Sequence, residues 1–535
     1  MRATVAAAVS LVLPAVCALQ GLPIPFGKLA QQSSSTARLL SRAAADATYP
    51  EYNLSVPIDH FHNESMYEPH SDDTFNLRYW FDAQYYKPGG PVFVLGAGET
   101  SGEGRLPFLQ KGIVHQVAKA TNGIGVILEH RYYGSSVPTP DFETENLRFL
   151  TTEQALADTA YFAKNVQFEG LEDVDFSPDK VPWIAYGGSY AGAFVAFLRI
   201  VYPDVFFAAI SSSGVPAAIW DYWEYYEAAR LFGPGECGET QGKLINVVDN
   251  ILMNKENAEY VDTLKQLFGM GHISNDADFA ASVAGDISAL QSYNWDPAIS
   301  TDAFFRYCET ISSDENMYPD LEEKRATVEE LLTAAGYEEQ LDPLVDRMLN
   351  FVGYQRPNTA AAAAQSKDDY ETTSDSLFYA QADLSQTWRL WPYQVCTEWG
   401  FLQTGSGVPD DILPMVSRLV DLEYSTEICR SAFNISEPAD TDRINKFGGF
   451  DASYPRLAWL DGEWDPWRAA GVHALSQDKR ESTPSEPLIL IDDAVHHWDE
   501  NGVFCNETRP GVPPRAVKDA QRAIRSFVKA WLEEW

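Results

Sequence analysis

Short apolar runs alternate with helical stripes along the first part of the chain. "FNLRYWFDAQYY" alternates aromatic and polar residues, the pattern of a half-buried strand. "PVFVLGAGE" and "GIGVILEHRYYG" are dense apolar runs that end in glycine or charge, as buried parallel strands do. In "TEQALADTAYFAKNV", Ala155, Thr159, Phe162 and Val166 recur at helical spacing. The alternation continues with "VPWIAYG" as a strand, "AGAFVAFLRIVY" as a helix and "FFAAISSSG" as the next strand. Strand and helix in turn predict an α/β sheet.

The alternation stops near Pro216. From there to Gly449 the text is helical and acidic, and an Ala-rich, Ser/Asp-rich patch from Thr359 reads as a loop. Strands resume at "RLAWLDG" and "PLILIDD", and the chain closes on a helix whose Val517, Ile524, Phe527, Val528 and Trp531 form one stripe. The expected organisation is an α/β domain in two parts, 49–215 and 450–535, split by a helical cap insertion at 216–449.

Ahead of this lies MRATVAAAVSLVLPAVCALQ, one Arg followed by an apolar stretch and a small-residue cleavage site, which reads as a signal peptide over 1–18. Residues 19–48 lack a strand pattern and read as a pro-segment or loose arm. No later run reaches the roughly 18 apolar residues of a membrane span, so no membrane partner is expected. The sequons at Asn53, Asn63, Asn434 and Asn506 fit a secreted glycoprotein, with a vacuolar or lysosome-like compartment as the alternative address. A formal charge of -38 excludes a general binder of nucleic acid. It suits an acidic medium, yet a histidine base near its reference pKa of about 6.5 would be protonated there, and a pH profile of kcat/KM decides between the two.

Within "VPWIAYGGSYAGAFVAFLRI", Gly187, Ser189 and Ala191 match the nucleophile elbow G-x-S-x-G with alanine in the last place. A serine hydroxyl needs a base, and the base needs an acid to hold its tautomer. Of nine histidines only His272, His473, His496 and His497 follow Ser189. His272 falls in the insertion and His473 in the helix-like "WRAAGVHALS", whereas "LILIDDAVHHWDE" puts His496 and His497 just after a late strand. "RLAWLDGEWDPW" offers Asp461, Glu463 and Asp465, of which Asp465 is favoured because Pro466 fixes the backbone after it. The N–H of Tyr190 and one from the glycine loop "VLGAGETSGEG", taken as that of Gly98, are the expected oxyanion donors. No C-x-x-C, H-E-x-x-H or phosphate loop is present, so no cofactor or metal is expected.

"IDHF", "LEHRYYGSSVP", "LTTEQALAD", "GGSYAG", "YQVCTEWGFLQT", "GEWDPWRAAGV" and "VHHWD" occur in the order seen in one serine peptidase family. From about Tyr52 to the C-terminus the chain resembles the family of lysosomal Pro-Xaa carboxypeptidase, dipeptidyl peptidase II and fungal acid prolyl endopeptidases. The resemblance implies an α/β-hydrolase fold with a helical cap and cleavage after proline, so peptides and proteins containing proline are the implied partners. It places the nucleophile on Ser189, the acid on Asp465, the base on His496 and the substrate's proline ring against Trp467. Spacing alone does not separate His496 from His497. Glu99 falls where aminopeptidase members carry an acid, which would receive an α-ammonium group; a structural acid bonded to loop amides fits the position equally. Exopeptidase and endopeptidase modes both stay open.

Six cysteines become an odd number once Cys17 leaves with the signal, allowing two disulfides and one free thiol. Proximity within the insertion pairs Cys237 with Cys308 and Cys396 with Cys429, leaving Cys505 free. Ordinary serine carboxypeptidases share the elbow but carry Glu before the serine, where a protonated carboxyl pairs with the substrate's C-terminal carboxylate. Gly188 stands there in this chain, so that pairing is not expected. A lipase or esterase leaves "EHRYYG" and "DPW" unexplained, and an inactive hydrolase-like binding protein would lack a triad member.

Overall fold

The computed structural model describes residues 49–363, 376–504 and 506–535. The expected signal peptide, the pro-segment, the latter part of the Ala-rich patch and Cys505 lie outside them. The apolar runs become an eight-stranded sheet. Its strands are β1 (Tyr52–Pro57), β2 (Thr74–Asp82), β3 (Val92–Gly96), β4 (Ile124–Leu128), β5 (Trp183–Gly188), β6 (Ala208–Ser212), β9 (Leu457–Gly462) and β10 (Leu488–Ile491), the short β7 (Ile219–Asp221) and β8 (Gly400–Leu402) lying apart. The order across the sheet is β1-β2-β4-β3-β5-β6-β9-β10. β2 runs antiparallel to both β1 and β4, and from β4 to β10 all neighbours are parallel. This is the α/β-hydrolase arrangement. It puts β5, with the elbow at its C-terminal end, near the middle of the sheet, where α/β folds place their ligands.

Helices cover the sheet: α1 (Ile113–Thr121), α2 (Thr152–Asn165), α3 (Tyr190–Val201) and, beyond the insertion, α6 (Arg515–Leu532). The stripe predicted for α2 is buried, and Thr151 caps the helix by accepting from the Gln154 N–H. α3 is buried over almost all its length because it emerges from the middle of the sheet. In α6 the predicted positions Val517, Ile524, Val528 and Trp531 face the core while Phe527 is only partly covered.

Between β6 and β9 the chain leaves the main sheet for a mostly helical excursion. β7 and β8 form a separate parallel pair, Ile219 opposite Gly400 and Asp221 opposite Leu402. α4 (Cys237–Met253) and α5 (Ala303–Ile311) are bridged by Cys237–Cys308, and Cys396–Cys429 closes a second loop. Both pairings match the expectation. Two local readings change. The long helix Leu341–Ala363 runs into the Ala-rich patch, so its first residues are helical rather than loop. "WRAAGVHALS" is a single 3-10 turn, Pro466–Ala470, followed by tight turns. Asp461 accepts there from His473 Nδ1 at 2.5 Å, a tertiary bond that helical propensity does not anticipate.

Candidate active site

The elbow is built from close approach. A Cβ on Gly187 would sit 2.1 Å from the carbonyl oxygen of Ala191, so only glycine lets β5 turn directly into α3. Ser189 occupies that turn at φ 61, ψ -128, a sparsely populated conformation for a residue with a side chain. Its N–H donates to Ser212 O at 2.9 Å and its carbonyl accepts from Gly192 N–H at 2.8 Å. Its Oγ is buried with no hydrogen-bond partner among the described residues. Gly98 in the loop after β3 has φ +74, and a Cβ there would lie 3.3 Å from Ala191 Cβ, so the glycine loop backs onto the elbow. Tyr190, the first residue of α3, anchors its hydroxyl to His130 Nε2 at 2.9 Å and to Gln394 at 3.2 Å, which fixes the start of the helix.

The candidate acid and base follow β9 and β10. Asp465 Oδ1 accepts from the Trp467 N–H at 2.9 Å, and Oδ2 accepts from His496 Nδ1 at 2.9 Å. Asp465 is 2% exposed and His496 3%. With Nδ1 committed to the carboxylate, His496 Nε2 is left buried and without a partner among the described residues, as is Ser189 Oγ. His497 turns elsewhere: its φ is 38, and its N–H donates to Ser213 Oγ at 2.9 Å. Asp461 is occupied by His473, which leaves Asp465 as the acid engaged with His496.

The loop carrying His496 is tied down on several sides. Asp499 accepts from Ser212 Oγ at 2.5 Å and Tyr186 OH at 2.6 Å, both from the sheet. Trp295 Nε1 donates to Trp498 O at 2.8 Å from the insertion, Gln521 of α6 donates to Asp499 O and Asn501 O, and Ile113 N–H donates to Glu500 O. Such anchoring fixes the orientation of the His496 side chain.

Trp467 is 1% exposed and packs with Tyr222, Tyr225 and Phe401 at ring centroids of 5.3, 5.3 and 5.1 Å. Its Nε1 donates to Gln291 at 2.9 Å. Glu99 is half-buried, and burial raises its pKa against the opposing pull of a backbone hydrogen bond, Arg105 and His496. Asn53, Asn63, Asn434 and Asn506 are all exposed, open to a glycosyl group.

Sequence reasoning passed over Glu500. Its carboxyl is 3% exposed, its Oε2 has no hydrogen-bond partner among the described residues, and a Cβ on Gly188 would lie 2.3 Å from its Oε1. A carboxyl therefore stands beside Gly188, supplied from another loop. The adjacent acids in "HHWDE" were the available signal.

Burial pushes Glu500 up to about 8, with Asp499 and Glu99 adding to the rise and Arg105 opposing it. In the unfolded chain a glutamate titrates near 4.3. Between those values the fold keeps a proton that the unfolded chain has released, so this group's contribution to stability falls as pH rises. Below about 6.5 two buried histidines act in the opposite sense. His130 is lowered to about 4 and His497 well below its usual value, in both cases chiefly by burial. From pH 6.5 to 8 the melting temperature is expected to fall, at about 1 kcal/mol per pH unit for one proton. Glu500→Gln should flatten that slope in a thermal scan; an unchanged slope would mean that Glu500 is ionised in the fold.

The family profile described as Serine carboxypeptidase S28 matches residues 56–510. This chain belongs to that family. It is a serine peptidase of the S28 type. A protein of Arthroderma benhamiae named probable extracellular serine carboxypeptidase is 49% identical over 97% of this chain and 73% of its own length. Serine protease vicPb of Bipolaris victoriae is 27% identical over 83% of this chain and 82% of its own. Mouse thymus-specific serine protease is 26% identical over 90% and 87%. Among the described residues no helix is long and apolar enough to cross a membrane.

Proposed function

We propose that this S28 peptidase is secreted and hydrolyses peptide bonds on the carboxyl side of proline through Ser189, His496 and Asp465. The observation that carries the mechanism is the pair of buried, unpartnered atoms, Ser189 Oγ and His496 Nε2, behind which Asp465 holds Nδ1 at 2.9 Å. Buried polar groups are rarely left unpaired without a use. Ser189 Oγ attacks the proline carbonyl while His496 Nε2 takes its proton, and the Tyr190 and Gly98 N–H groups receive the developing oxyanion. His496 then protonates the leaving amine, and water resolves the acyl-enzyme with His496 again as base.

The proline reading rests on the family resemblance, which sets the substrate's ring against Trp467, a residue that Tyr222, Tyr225 and Phe401 pack into place. The helical excursion between β6 and β9 is the cap that limits substrate size. The leader-like N-terminus, the exposed sequons and the extracellular designation of the Arthroderma protein support secretion.

Peptides with proline at one internal position and matched alanine peptides, each free and N-blocked, are the test, with products identified by mass. Cleavage after proline and little after alanine is expected. Equal cleavage of both sets would remove the proline assignment and leave the peptidase.

A further inference from the structure

We propose that Glu500 is the residue that receives a free C-terminal carboxylate on the leaving side of the scissile bond, as a carboxylic acid donating a hydrogen bond to it. The proposal rests on the peptidase reading above and assigns the mode that it leaves open. Its basis is position. The Glu500 carboxyl lies against Gly188, next to the nucleophile, where a side chain on residue 188 would begin. Gly188 is itself partly exposed.

Two buried polar atoms wait there without partners. Glu500 Oε2 and His497 Nδ1 approach to 3.2 Å, yet both are without a hydrogen bond among the described residues. An incoming carboxylate offers lone pairs to whichever of the two carries a proton, at a site where leaving such a bond unmade is costly.

The charge of the corner favours an anion. The groups that face Glu500 are Arg105 and Glu99 from the loop after β3, together with His496, His497 and Asp499 of its own loop. Burial holds Glu500 and His497 toward their neutral forms and raises Glu99 and Asp499. The guanidinium of Arg105 is a charge held in place, anchored through Nε to Ala97 O at 3.1 Å. An α-ammonium group would meet the Arg105 cation. A carboxylate meets a donor and a cation, the charge-assisted case in which hydrogen bonds are strongest.

The experiment compares kcat/KM for a peptide with a free C-terminal carboxylate, ending one residue beyond the scissile bond, with that for its C-terminal amide. The wild-type enzyme should prefer the acid, and Glu500→Leu should reduce that preference by roughly 10- to 100-fold, the worth of one hydrogen bond to a charge. Glu500→Gln keeps the shape and an N–H donor. It should retain part of the preference and lose the decline in acid binding that the wild type shows as Glu500 ionises above about pH 8. Equal rates for acid and amide in the wild type, or an unchanged ratio in Glu500→Gln across pH and in Glu500→Leu, would overturn the assignment. Loss of the preference for proline over alanine, with the acid-to-amide ratio intact, would overturn the proline reading alone.

Discussion

Ser189→Ala is expected to lower kcat for peptide hydrolysis on the order of 10⁶-fold, the usual cost of removing a nucleophile from a triad. The loss should come without unfolding. Alanine keeps the Cβ, and Ser189 Oγ makes no hydrogen bond that the fold would miss. The contacts that hold the turn run through the backbone, from Ser189 N–H to Ser212 O and from Gly192 N–H to Ser189 O. A melting temperature close to that of the wild type, measured beside the kinetics, separates lost chemistry from lost structure. Activity within tenfold of the wild type would remove Ser189 from the mechanism.

Asp465→Asn should cost about 10⁴-fold in kcat with little change in KM. Asparagine Oδ1 can still accept from the Trp467 N–H, so the turn after β9 is preserved. Its amide, however, presents hydrogen to His496 Nδ1, where the carboxylate accepts one. The imidazole is driven to the tautomer with its proton on Nε2, which cannot take the proton of Ser189. Asp461→Asn is the matched control. Its carboxylate is bonded to His473 rather than to His496, and its loss should change kcat far less. A larger loss from Asp461→Asn than from Asp465→Asn would exchange their roles.

Periodicity was enough for the sheet and for the excursion that splits it, because strands buried on both faces and a serine turn between small residues leave strong local marks. "DPW" and "VHHWD" lie on two loops that meet, Asp465 bonded to His496. Other motifs that carry the resemblance serve as scaffold. Glu129 of "EHRYYG" accepts from Arg78 at 2.6 Å and from the Gly102 N–H at 2.9 Å, holding the loop that follows β3. Arg131 grips Asp158 of "LTTEQALAD" at 2.6 and 2.7 Å, and Glu398 of "YQVCTEWGFLQT" accepts from the Thr152 N–H at 3.0 Å. These are long-range pairs, and a one-dimensional text does not say which charge meets which.

Glu500 was hidden for the same reason. Its neighbour in space is Gly188, more than half the chain away, and a glycine announces nothing about what fills the room beside it. Asp499 differs again. Both its oxygens are taken by Ser212 and Tyr186, so it anchors the loop that carries His496.

The placement of β9 and β10 at one edge of the sheet has a consequence for synthesis. β1 to β6, with the elbow between β5 and α3, precede the excursion, whereas Asp465 and His496 lie beyond it on the last two strands. A nascent or prematurely terminated chain that stops before Leu457 carries the serine with neither of its partners. On the proposed triad, peptide cleavage therefore waits until the final stretch of the polypeptide has docked.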